Sequence, residues 1–126
     1  MITRIHAGAG GETHLTDIPV ELEPAPGESG AAGALFGLIP ETPIRFRRFE
    51  PRLDMDWHPA PRRQFIVIMT GAMEITTSDG TTRAFTAGSI ILADDRGSKG
   101  HQTRPANQTT CTFFTLPCSA IPGDTV

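Results

Sequence analysis

The chain has 126 residues, 38% of them hydrophobic and 20% charged, with a formal net charge of −3. That length suits one domain able to bury a core without staples. The acidic balance argues against a nucleic-acid or anionic-membrane partner, since both need a basic patch, and leaves only a local cluster at Arg45, Arg47, Arg48 and Arg52 to supply one.

Thirteen glycines and eleven prolines suit a chain of short strands and turns better than a helical bundle. The opening "MITRIHAGAGGETH" has no apolar run of signal-peptide length, and no stretch approaches the roughly 20 apolar residues of a membrane span. A cytoplasmic protein is the expectation. Residues 1–31, with "ELEPAPGESGAAG", lack helical periodicity and read as a surface arm or partly mobile loop, in which "IPVELE" could add an edge strand. A barrel is expected over 32–118 and a tail over 119–126.

From Ala34 the texture changes. "ALFGLIP" and "PIRFRRFEP" read as strands, the second alternating Ile44, Phe46 and Arg48 with Arg45, Arg47 and Phe49. "QFIVIMTG" is too short and too β-branched for a helix, and reads as a strand covered on both faces. "AMEITTS" and "TTRAFTAG" form a hairpin about Asp79-Gly80, a pair suited to positive φ angles. "SIILA", "HQTR" and "TTCTFFTLP" complete an all-β series, a sandwich or barrel. Cys111 and Cys118 match no zinc spacing and read as reduced thiols in or near the core. The four methionines and seven phenylalanines also read as core, with Trp57 as packing.

The polar cluster "DWHPAPRRQ" stands directly before the apolar strand. If a strand begins near His58, then His58, Ala60, Arg62, Gln64, Ile66 and Ile68 share one face. Polar groups at one end and apolar walls deeper in make up a small-molecule pocket. An arginine facing a barrel interior must be paired or must bind an anion, so Arg62 either meets Asp94, Asp95 or Glu74 or holds a substrate oxyanion. Arg63 reads as outward and solvated, or as paired at a subunit interface. Asp94 and Asp95 read as a turn with a solvated face, unless one orients an imidazole or completes a metal shell.

The spacing from His58 through Ala60 and Gln64 to Gly71 resembles the first motif of the cupin superfamily. "AGSIILADDRGSKGHQT", opened by Gly88 and closed by His101, is similar to the second. The chain also resembles small bacterial cupins with a "WHxAPRRQ" signature and a late "GH.T". The resemblance covers roughly residues 34–116. It implies a single-domain, jelly-roll-like cupin barrel of two packed antiparallel sheets, an interior site, and a homodimer in which the N-terminal arm exchanges. It also implies one divalent metal (Fe, Mn, Ni or Zn) and no organic cofactor. Two positions depart from the pattern: Ala60 stands for the second histidine of the first motif and Gln64 for the glutamate. The ligand set left is His58, Gln64 and His101. Some cupins that open unsaturated uronate rings also place Gln there, but they keep all three histidines.

No Gly-rich phosphate loop, nucleophile elbow, CxxC pair or HExxH helix is present. The expected function is proton-transfer chemistry (isomerisation, dehydration, ring closure or opening) on an oxygenated or acidic metabolite. His58 and His101 are then base and acid, since imidazole titrates near neutrality. Arg62, Gln64 and Thr103 bind substrate, and the metal is optional. The alternatives are an iron-dependent dioxygenase on His58, Gln64 and His101, or a non-catalytic ligand-binding sensor. No nucleic-acid or membrane partner is expected.

Overall fold

The computed structural model describes residues 1–19, 22–23, 34–35 and 44–118. In chain order the first strands are Ile2–Ala7 (β1), Thr13–Ile18 (β2), Leu22–Glu23 (β3), Ala34–Leu35 (β4), Arg45–Phe49 (β5) and Met55–His58 (β6). Gln64–Thr70 (β7), Ala72–Thr77 (β8), Thr82–Thr86 (β9), Ile90–Asp94 (β10), His101–Pro105 (β11) and Cys111–Pro117 (β12) follow. Among the described residues the only helical pieces are two 3-10 turns, so no helix is long and apolar enough to cross a membrane. The all-β expectation holds.

Two sheets pack face to face. One has the order β2-β1-β10-β7-β12-β5, the other β6-β11-β8-β9, and β3 pairs with β4 separately. Strand alternation decides what each face carries. Ile66 and Ile68 of β7, Ile91 of β10 and Phe113 of β12 turn inward to meet Met73 and Ile75 of β8 and Phe85 of β9. Phe65 and Leu92, one residue out of phase, instead join Ile2 and Cys118 in a second buried cluster. Cys111 and Cys118 form no disulfide and are buried in separate clusters, and burial pushes the Cys111 thiol up.

Several expectations are corrected. Of the stretch read as an arm, residues 2–18 form two strands, with β1 parallel to β10 and antiparallel to β2. The Gly- and Pro-rich composition that suggested an arm hides a strand pair fixed by non-local contacts. Ile18 closes β2, and of "ALFGLIP" only Ala34–Leu35 falls among the described residues. Residues 24–31 and the expected tail lie outside them. No continuous strand runs from His58: β6 ends there, Pro59–Arg63 crosses between sheets, and β7 starts at Gln64. The two prolines explain the break, because each removes a ladder donor. Trp57 is 46% exposed, and Met1, Phe46 and Met69 are exposed rather than core. In the hairpin only Gly80 takes positive φ, while the Asp79 carboxylate accepts bonds from Thr77 and Thr81.

Alternation also separates the two adjacent aspartates. Asp94 lies among Arg4, Arg63 and Arg96, with guanidinium nitrogens at 2.7, 3.1 and 3.1 Å. The expected solvated faces for Asp94 and Arg63 are therefore wrong: their side chains are 3% and 15% exposed. Burial works to raise the Asp94 carboxyl, but the hydrogen bonds from Arg4 and Arg63 hold it below the usual carboxylate range. A depressed folded-state pKa gives stability that is complete above the unfolded value of about 3.9 and lost as pH falls through the folded one. Asp94→Asn is therefore expected to destabilise the protein by on the order of 2 kcal/mol at pH 7. In urea unfolding, the gap between variant and wild type should narrow below about pH 3.9; a gap independent of pH would contradict this assignment.

Candidate functional site

His58 closes β6 and His101 opens β11, and the two are direct cross-strand partners. Their rings stand side by side, centroids 4.6 Å apart and planes tilted by 53°. His101 is 3% exposed and His58 is half-buried. The close approach depends on Gly100, whose φ is +82°. A Cβ there would lie 2.4 Å from the His58 carbonyl carbon and 2.5 Å from its oxygen. The Gly100 carbonyl is held from the other side by the buried Thr13 hydroxyl at 2.8 Å, so β2 braces the site.

Each imidazole is oriented through Nδ1. His58 Nδ1 lies 2.7 Å from the Asp56 carbonyl oxygen, which can only accept, so Nδ1 donates. His101 Nδ1 lies 2.6 Å from Asp95 Oδ2. Asp95 is fully buried, and its Oδ1 accepts from the Ala60 backbone N–H at 3.0 Å. One carboxylate thus aims His101 and pins the crossing segment that carries Arg62. Orientation of an imidazole was one of the roles open to this aspartate; it stands at the head of a turn as expected, but buried rather than on a solvated face. With Nδ1 engaged, the Nε2 atoms are the free ends of both rings.

The remaining predicted residues assemble around the pair. Gln64, the first residue of β7, and Thr103, two residues beyond His101, line an inner recess with both histidines. Thr103 is 4% exposed, and its buried Oγ1 has no hydrogen-bond partner among the described residues. Such a group calls for a ligand or water to satisfy it. The recess opens into a cleft of about 340 Å³ lined by His58, Gln64, Met55 and Arg62. Arg62 is exposed at this mouth and, among the described residues, makes none of the ion pairs considered for it with Asp94, Asp95 or Glu74. Ala60 is buried in the core and offers no side-chain donor.

Two lining residues were missed. Arg45 and Arg47 of β5 face the same cleft. They stand opposite Thr115 and Phe113 of β12, both inward-facing and buried. The Arg47 guanidinium sits 5.8 Å from the ring centroids of Phe49 and Phe113. The signal was in the sequence: the alternation puts Arg45 and Arg47 in phase with Phe49, the one buried residue of the strand.

The donors do not fit a resident divalent metal. They amount to two imidazole nitrogens and one amide oxygen, with no negative charge to balance a dication. Asp95 is already used by His101 and Ala60. Among the described residues no three His, Cys, Asp or Glu side chains form a metal-holding group. Three guanidinium groups line the same cleft, and their positive potential opposes a cation.

No family model matches the sequence, and no curated protein matches it. Solved structures do. SPY1581, a conserved protein of unknown function from Streptococcus pyogenes, is similar at a TM-score of 0.50 and 18% identity, over 62% of this chain and 64% of that one. This chain therefore spans less than two thirds of that protein's length. Protein NMB1881 from Neisseria meningitidis is similar at 0.51 and 14% identity, over 67% and 84%. A cupin domain from Bordetella pertussis gives 0.46 and 23% identity, over 67% and 95%. These likenesses concern the fold. What they share with this chain is an all-β fold of two packed sheets.

Gly100→Ala should force β6 and β11 apart and cost roughly 2–3 kcal/mol in denaturant unfolding. Gly97→Ala is the control: its φ is +65°, but a Cβ there meets open space. It should cost only the left-handed penalty, roughly 1–2 kcal/mol. A cost for Gly97→Ala equal to or above that for Gly100→Ala would contradict the role given to the close approach.

Proposed function

We propose that this protein is a metal-independent enzyme of the acid–base type, acting on a small oxygenated acid inside the cleft. The observation that carries the reading is the His58–His101 pair, ring beside ring, with each Nδ1 held by a separate acceptor. Two imidazoles fixed in this way can divide a proton transfer. The neutral ring removes a proton from the substrate at Nε2, and the protonated ring returns one at a neighbouring atom. Nε2 is the working atom in both because Nδ1 is occupied.

Removal of a proton beside a carbonyl places negative charge on the oxygen. Gln64 and Arg62 line the same space and would stabilise that charge as it forms. Thr103 Oγ1, buried and unpartnered at the inner end, would bond a substrate oxygen. Met55, Ile66 and Phe113 supply apolar walls that keep the dielectric low. Isomerisation, dehydration and ring opening or closure all begin with this step. Iron-dependent oxygenation would need ligands that Ala60 and Gln64 do not supply.

The step can be measured before the natural substrate is known. Small 2-oxo and 3-hydroxy acids incubated with the protein in D₂O should take up deuterium beside the carbonyl or carboxyl group, followed by NMR. His58→Ala and His101→Ala should each slow the exchange on the order of 10²–10⁴-fold. Undiminished exchange in both variants would overturn the acid–base reading. Ligand binding by the wild type without exchange in any acid would favour a sensor barrel instead.

A further inference from the structure

The distribution of arginine partners is uneven. Arg4, Arg63 and Arg96 share Asp94; Arg48 meets Glu50, Arg83 meets Asp17 and Arg104 meets Glu74. Arg45, Arg47, Arg52 and Arg62 make no ion pair among the described residues. Three of those four line the cleft beside His58. Among the described residues no carboxylate side chain joins them in its lining. In a chain whose formal net charge is −3, this is a local concentration of positive charge that no carboxylate among the described residues answers.

Such an arrangement costs self-repulsion unless something answers it. The side chains are also organised for recognition. Arg45 and Arg47 are two residues apart on one strand face, about 7 Å at the usual rise per residue. Arg47 is steadied against Phe49 and Phe113, which lowers the freedom it must give up on binding. Arg62 approaches from the crossing segment. Planar guanidinium forks match carboxylate and phosphate groups. A monoanion would leave two of the three charges unanswered. The cleft, about 340 Å³, lies at the small end of ligand pockets, where metabolites fit better than coenzymes.

We infer that the cleft selects a compact dianion, a small dicarboxylic or phosphorylated acid. Arg45, Arg47 and Arg62 hold its charged groups at the mouth, and its uncharged part reaches inward to His58 and Thr103. The inference rests on the cleft being the reactive site, and it adds the substrate class and the two residues of β5.

The test is calorimetric titration at low ionic strength in carboxylate- and phosphate-free buffer. The probes are malonate, succinate and inorganic phosphate, with acetate as the monoanion. Wild type should bind at least one dianion at least tenfold more tightly than acetate. The Arg45→Gln/Arg47→Gln double variant should lose at least tenfold in that affinity. Both positions are exposed, so unchanged thermal melting is the check that the variant folds. Arg52→Gln removes the fourth unpaired arginine, outside the cleft, and should bind like wild type. Dicarboxylate binding without phosphate binding, or the reverse, tells which acid is held.

Equal weakening by Arg52→Gln would show diffuse charge attraction and overturn the inference, as would wild type that binds no dianion better than acetate. The acid–base reading fails separately. Should the histidine variants keep their exchange rate while the arginine variant loses dianion affinity, the inference stands and the chemistry does not.

Discussion

A carboxyl group with no access to water must have its oxygens satisfied by the protein, and whatever satisfies them is fixed in place. Asp95 is that group here. Its two oxygens meet the His101 ring of β11 and the Ala60 backbone N–H of the crossing segment. One side chain therefore sets the orientation of an imidazole and the path of the segment that passes from one sheet to the other. Gly100 completes the arrangement by allowing that segment to lie against the start of β11.

The neighbouring residue shows how strand geometry divides labour. Asp94 and Asp95 are adjacent, yet their partners are entirely different. Asp94 gathers three arginines in a structural knot. Asp95 serves the histidine. A one-residue step along an extended chain reverses the direction of the side chain, so the same chemical group supports packing in one case and a site in the next. The arginines divide in the same way: Arg63 is consumed by Asp94, while Arg62 is left at the mouth. The charge available to a ligand is the charge that the fold has not neutralised.

Much of this was legible in the chain. Period-two alternation and Gly/Pro punctuation marked the strands from Arg45 to Pro117 other than Met55–His58, and the resemblance to two cupin motifs named His58 and His101 together. Other parts could not be read locally. β1 owes its place to parallel pairing with β10, nearly ninety residues away, and its own pattern of Ile, Thr and Arg carries no such information. Arg45 and Arg47 were read only as part of a local basic patch; their phase with Phe49 was in the chain, and the pairing of β5 with β12 adds which face is concave. Arg62 and Arg63 stood in the right order, but the fate of Arg63 depended on an aspartate thirty-one residues later.

The fold presents two imidazoles through Nε2 because each Nδ1 is held by an acceptor. Long-range ¹H–¹⁵N NMR of the histidine side chains measures this directly, without a substrate. His58 and His101, when neutral, should both carry the proton on Nδ1, and Asp95→Asn should alter the His101 ring nitrogens while leaving those of His58 unchanged. A neutral ring of either residue carrying its proton on Nε2 would contradict this arrangement.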